Sequence, residues 1–174
     1  CSKFTSVPIP TGVTVIGEGA FQFCTNLISV IIPTNVSFIR RLTFNECSNL
    51  TSVTIPSTVT SIGESAFSYC TSLPVVIIPN SVTYLGASAF SNCIALTSVI
   101  IPNSVTFIGA AAFGDCISLQ SAAISNTATA IGNYAFGACS NLLSVTIPNS
   151  VTNLGSFVFY LCSAFFSRPC FLIS

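Results

Sequence analysis

Residues 70–92 read CTSLPVVIIPNSVTYLGASAFSN, and residues 93–115 read CIALTSVIIPNSVTFIGAAAFGD. The two stretches align without a gap. The octet VIIPNSVT occurs in both, from Val76 to Thr83 and from Val99 to Thr106. Working outward in steps of 23, cysteines stand at 1, 24, 47, 70, 93, 116, 139 and 162. Phe21, Phe44, Phe67, Phe90, Phe113, Phe136 and Phe159 keep the same step, as do Ile9, Ile32, Ile55, Ile78, Ile101, Ile124 and Ile147. Three columns sharing one period, with no insertions, mark an array of stacked supersecondary units. Seven repeats are expected over 1–161 (1–23, 24–46, 47–69, 70–92, 93–115, 116–138, 139–161), followed by an atypical segment, 162–174, in one domain.

The consensus rung is C-x-x-L-x-S-V-x-I-P-x-x-V-T-x-I-G-x-x-A-F-x-x. Val53 and Ile55 alternate with Ser52 and Thr54, the period of a half-buried strand. Pro56 ends that strand because it has no N–H for a ladder. Val59 to Gly63 reads as a second short strand turned by the glycine. The piece ESAFSYC is too short for a stable α-helix, so a single helical or 3₁₀ turn is expected there. That turn places Ala66, Phe67 and Cys70 inward. One rung cannot bury its own apolar side, so stability comes from stacking each rung on the next. The phenylalanines then form an internal stack and the cysteines a parallel column.

The pattern L-x-x-V-x-I-P-x-x-V-x-x-I-G-x-x-A-F-x-x-C resembles the BspA-like class of leucine-rich repeats across residues 1–161. The resemblance implies a mainly β leucine-rich-repeat solenoid. It would be right-handed, with a parallel β-sheet on the concave face, and with a second short strand and a turn in each repeat. It further implies an extracellular or cell-surface protein engaged in adhesion or protein recognition rather than catalysis. Two rungs depart from the pattern. Arg40 and Arg41 replace a glycine and a small or acidic residue, and rung six has Ala122, Ala123 and Ser125 at strand positions. Rung six is expected to be the most loosely packed.

Composition narrows the function. Charged residues are 5% of the 174 and cancel, with four basic and four acidic groups and no histidine. A nucleic-acid partner needs clustered Lys and Arg against its phosphates; Lys3, Arg40, Arg41 and Arg168 are too few and too scattered. No apolar run approaches the ~20 residues of a transmembrane helix. The start at Cys1 fits either a chain relieved of a signal peptide or a fragment. Catalysis needs a nucleophile with a base, paired carboxylates or a metal. Glu18, Glu46, Glu64 and Asp115 lie in different rungs and the hydroxyls lack a base, so no enzyme activity and no cofactor are expected. Arg40 and Arg41 are placed to pair with Glu18 or Glu64 on neighbouring rungs.

Cysteines evenly spaced along a line do not converge on a metal as zinc ligands do. Cys24, Cys47, Cys70, Cys93, Cys116 and Cys139 are therefore expected as buried free thiols, acting as small hydrophobes. Cys170 breaks the series and is the candidate for a disulfide, with Cys162 as its nearest partner. Cys1 admits acylation as a lipoprotein's first residue, though its place in the column already accounts for it.

Two columns are expected to face solvent. One, on the first strand, reads Pro8, Ile31, Thr54, Ile77, Ile100, Ala123, Thr146. The other, on the second strand, reads Val15, Phe38, Ser61, Tyr84, Phe107, Ala130, Asn153. Exposed Ile, Phe and Tyr in rows mark candidate interaction surfaces, here Ile31, Thr54, Ile77, Ile100, Thr146, Phe38, Tyr84 and Phe107. The apolar residues Phe165, Phe166, Phe171, Leu172 and Ile173 form a candidate cap over the last rung or a contact with another copy. A head-to-tail contact that does not close builds a filament. The expected partners are other copies of the chain or a protein ligand at a cell surface. Asn35-Val-Ser37 and Asn49-Leu-Thr51 match the N-glycosylation acceptor.

Overall fold

The computed structural model describes residues 5–166, with side chains as far as residue 164. In chain order its elements are β1 (Ser29–Ile31), β2 (Phe38–Ile39), β3 (Ser52–Thr54), β4 (Ser61–Ile62), β5 (Tyr84–Leu85), β6 (Ser98–Ile101), β7 (Phe107–Ile108), β8 (Ser121–Ile124), β9 (Ala130–Ile131), β10 (Ser144–Thr146), β11 (Asn153–Leu154) and α1 (Ser163–Phe166). Pairing is parallel throughout and each registered pair is one period apart. Val30 faces Val53, Val99 faces Ala122, and Ile108 faces Ile131. The result is a mainly β parallel solenoid. The second strands make one six-stranded sheet, β11-β9-β7-β5-β4-β2, while the first strands divide into β1-β3 and β10-β8-β6.

That division has a local cause. Where the sheet is continuous, Thr51 N–H donates to Ile28 O, Gln120 N–H to Thr97 O, and Leu143 N–H to Gln120 O. The equivalent residue of the fourth rung is Pro74, which has no N–H to give. The loss falls between rungs three and four; on its other side rung four meets β6 through a bridge between Val75 and Ser98. A second interruption lies at Arg40. A Cβ built on Gly86, Gly109, Gly132 or Gly155 would come within 2.5–2.6 Å of the preceding rung's backbone. Glycine is therefore required where the second strands turn. Rung two carries Arg40 at this position, and among the described residues the six-stranded sheet begins with β2, without a strand from rung one.

Rung six keeps its strand pairing and its buried positions. β8 pairs with β6 over four residues and with β10 over three. Ala122 and Ala128 are buried, as are Leu119 and Phe136. Short side chains let the strands keep register, whereas a missing N–H or an extra Cβ breaks the hydrogen bonding itself.

No helix forms in the described rungs at the segment expected to make a helical or 3₁₀ turn; that segment is a ribbon of successive turns. In rung three, Ala66, Ser68 and Cys70 N–H groups donate to Gly63, Ser65 and Phe67 three residues back. The alternate N–H groups, Ser65, Phe67 and Tyr69, donate instead to Ala87, Ala89 and Ser91 of the next rung. A helix would direct all of these donors along its own axis. Two left-handed residues per rung redirect them: Ser65 and Tyr69 have φ of 52° and 60°, and Ala111 and Asp115 have 50° and 58°. Among the described residues the one helix is α1.

The core runs lengthwise. Phe44, Phe67, Phe90, Phe113 and Phe136 are fully buried, and Phe21 and Phe159 are half-buried at the two ends of the column. Successive rings from Phe21 to Phe159 lie 5.2–5.9 Å apart and within 13° of parallel. Hydroxyls also tie rung to rung. Thr60 Oγ1 donates to Ser37 O at 3.2 Å, Thr83 Oγ1 to Thr60 O at 3.2 Å, and Ser81 Oγ to Val59 O at 2.6 Å. The same donors that make the surface polar thus satisfy edge carbonyls of the preceding rung.

Candidate functional site: the outward isoleucine row

Strand alternation turns every second side chain away from the core. On β1 and β6, Val30 and Val99 are buried, while Ile31 and Ile100 are 70% and 72% exposed. Ile77 is 79% exposed, and Thr54, Ala123 and Thr146 continue the same exposed column. Parallel register places Ile31 beside Thr54, and Ile100 beside Ala123. Depressions of about 420 Å³ beside Ile31 and about 250 Å³ beside Ile77 and Ile100 flank the row. Val75, outside the two columns expected from the sequence, is also exposed and lines the second depression.

The second-strand column is exposed as well at Val15, Phe38, Tyr84 and Phe107. Its rows meet through pairing, with Phe38 beside Ser61 and Tyr84 beside Phe107. A third apolar surface went unrecognised. Tyr134 and Phe157, one period apart, stack at 5.1 Å, and Tyr160 packs edge-on against both. The 23-residue spacing of Tyr134 and Phe157 was the available signal.

The cysteine column is buried and free, but it is more than small hydrophobes. Each thiol from Cys47 onward donates to the carbonyl of the phenylalanine 26 residues earlier. Cys47 bonds Phe21 at 3.2 Å, Cys93 bonds Phe67 at 3.3 Å, and Cys162 bonds Phe136 at 3.1 Å. Burial pushes the Cys47 thiol from its ordinary 9.0 up to about 12, with repulsion from Cys24 adding to the effect. Desolvation raises Cys70, Cys93 and Cys116 well above the ordinary value too. Such thiols stay protonated, and the thiolate is the nucleophile and metal ligand. Among the described residues no three His, Cys, Asp or Glu side chains are grouped to hold a metal. Among the described residues Cys162 is a free buried thiol in this column. Cys170 lies outside the described residues.

Phe171, Leu172 and Ile173, and the side chains of Phe165 and Phe166, also lie outside the described part. Arg41 makes the ion pairs foreseen for the arginines, 2.7 Å from Glu18 and 3.5 Å from Glu64. All three groups are about half exposed. Asn35 is exposed, and its amide already donates to Thr11 O at 2.7 Å. Asn49 is exposed in a shallow depression with Thr51.

A family model for the BspA type leucine rich repeat region, in six copies, matches residues 1–120 and 106–167. The chain belongs to the BspA-type leucine-rich-repeat family. Solved structures agree with this membership. The T. pallidum leucine rich repeat protein TpLRR is 31% identical with a TM-score of 0.87, over 92% of this chain and 77% of that one. A leucine rich cell surface protein from Faecalibacterium prausnitzii is 34% identical with a TM-score of 0.85, over 92% of this chain and 46% of its own. A leucine-rich repeat protein from Bacteroides ovatus is 30% identical with a TM-score of 0.70, over 86% and 47%. This BspA-type chain thus spans less than half the length of the last two. A search of curated proteins gave no match. No helix among the described residues is long and apolar enough to cross a membrane.

Proposed function

We propose that this BspA-type chain is a non-catalytic extracellular or cell-surface protein that associates with copies of itself through the outward face of β1, β3, β6, β8 and β10. One observation carries the reading: Ile31, Ile77 and Ile100 stand in a single row, each at least 70% exposed. Apolar rows of this kind mark interaction sites. Copies of the chain are favoured as partner because the formal net charge is zero and charged residues are 5%. Like surfaces therefore meet with little charge repulsion. The family's right-handed coil, with this sheet on the concave side, belongs to the same reading.

A second reading keeps the face and changes the partner, making the chain an adhesin-like module for a foreign protein. It is favoured by the cell-surface relative from F. prausnitzii. Light scattering and negative-stain microscopy of the purified chain separate the two. Concentration-dependent assemblies, lost when Ile31, Ile77 and Ile100 are replaced together by Glu, support self-association. A monomer at every concentration refutes it and leaves the adhesin-like reading.

A further inference from the structure

A different surface carries a ligand site. On the turn ribbon, Ala111, Tyr134 and Phe157 occupy one repeat position in three successive rungs. Phe157 covers one face of the Tyr134 ring at 5.1 Å. On the other side the column continues with Ala111, whose methyl leaves the place of a ring vacant. An open cleft of about 420 Å³ results, floored by Ala111, Gly114 and Gly137 and walled by Tyr134 and Tyr160. Its size lies within the ~300–1,000 Å³ of small-ligand pockets. The wall is held in place, since Tyr160 packs edge-on against both Tyr134 and Phe157 at 6.0 and 5.7 Å.

We propose that this cleft binds one pyranose ring of a neutral glycan, its C–H face laid on Tyr134. Two polar groups at the rim match the hydroxyls in the plane of such a ring. Asp115 contributes a carboxylate acceptor, and it has no ion pair among the described residues. Asn133 accepts the Ser156 N–H through Oδ1 at 2.8 Å, which fixes which amide atom is the acceptor and leaves Nδ2 as a donor. An aromatic side chain from a protein partner would fill the same slot but leave both rim groups without partners, which is costly once they are desolvated. No Lys or Arg lines the cleft, so an acidic sugar would meet only the Asp115 carboxylate. Backbone geometry makes the slot preformed: Ala111, Asp115 and Tyr134 are all held at positive φ by the ribbon.

The test is a glycan array probed with the purified full chain. Saturation-transfer NMR then follows on methyl β-galactopyranoside, diacetylchitobiose, sialyllactose and N-acetyltryptophanamide. Neutral glycans are expected to bind, with Tyr134→Ala weakening binding about tenfold and Asp115→Asn about fivefold. Circular dichroism confirms that Tyr134→Ala keeps the fold, and Asp115→Asn tests the same slot without removing a ring. The Ile31, Ile77 and Ile100 replacements leave glycan binding unchanged, so failure here is distinct from failure of self-association. Binding of no neutral glycan overturns the proposal. So does preference for sialyllactose or N-acetyltryptophanamide, or full-strength binding by both cleft variants.

Discussion

Replacing Phe90 by Ala removes the middle of the aromatic spine. The ring is fully buried, with Phe67 at 5.3 Å and Phe113 at 5.4 Å, nearly parallel to both. Truncating a buried phenylalanine costs about 3–5 kcal/mol, through lost transfer energy and the cavity left behind. Phe90→Leu separates the contributions. It keeps most of the volume, so it costs under ~1.5 kcal/mol for shape, plus ~0.5–1.5 kcal/mol for each of the two stacked ring pairs it abolishes. These add to about 1–4.5 kcal/mol, and the loss for Leu is expected to fall below that for Ala. A chain of this size has about 0.05–0.15 kcal/mol of stability per residue, so both variants still fold. Urea unfolding followed by far-ultraviolet circular dichroism measures both, with the slope compared because a weakened interface can uncouple the array. A loss below about 1 kcal/mol for Phe90→Ala would refute the spine as a source of stability. Equal losses for Leu and Ala would refute the division between volume and stacking.

Gly109→Ala is expected to cost about 1–3 kcal/mol by thermal or urea melting, since its Cβ would lie 2.5 Å from the Gly86 backbone. Gly17→Ala, with nothing within 4 Å, should be near neutral in the same assay. Burial raises the Cys47 thiol from 9.0 to about 12, so the folded chain holds that proton where the unfolded chain has released it. Its stabilisation is therefore complete below pH 9 and is lost as pH rises from there toward 12. Urea midpoints across about pH 7–11 should fall less steeply in Cys47→Ala, by up to ~1.4 kcal/mol per pH unit above about pH 9; an unchanged slope would count against the burial of this thiol. Pro74→Thr supplies the absent N–H. Amide exchange near Val75 should slow about fivefold, the equivalent of ~1 kcal/mol for one hydrogen bond. Ser88→Gly relieves a residue at φ 53°. It should raise the melting midpoint by the equivalent of about 0.5–1 kcal/mol.

The period, the strand positions and the outward faces were legible because burial alternates along a strand and recurs at every twenty-third residue. Ile31, Ile77, Ile100, Phe38, Tyr84 and Phe107 all lie exposed as the pattern implied. The hydrogen bonding was not legible. Periodicity of apolar residues says where side chains go and little about where N–H groups point. The turn ribbon accordingly reads as a helical turn in the sequence, although Leu42, Ser65, Ser88, Ala111 and Tyr134 share a left-handed backbone despite unrelated side chains. The same blindness hid the thiol bond to phenylalanine, which needs the rungs stacked before Cys70 Sγ lies 3.3 Å from Phe44 O. The interruptions of the sheets escaped the pattern for a related reason. Alanines in rung six drew notice as small residues, whereas Pro74 and Arg40 act through the backbone.

The turn ribbon also gives the stack a direction. Along it, amides reach forward to the following rung, as Phe67 does to Ala89. The thiols reach backward, as Cys93 does to Phe67. Every junction between rungs therefore repeats one asymmetric lock, with unlike halves that fit in only one order. Adding or removing whole units cut at equivalent points would leave every junction intact, whereas a splice one residue out of phase would mismatch the two halves of the lock at that junction and leave the later rungs, still 23 residues apart, locked to one another.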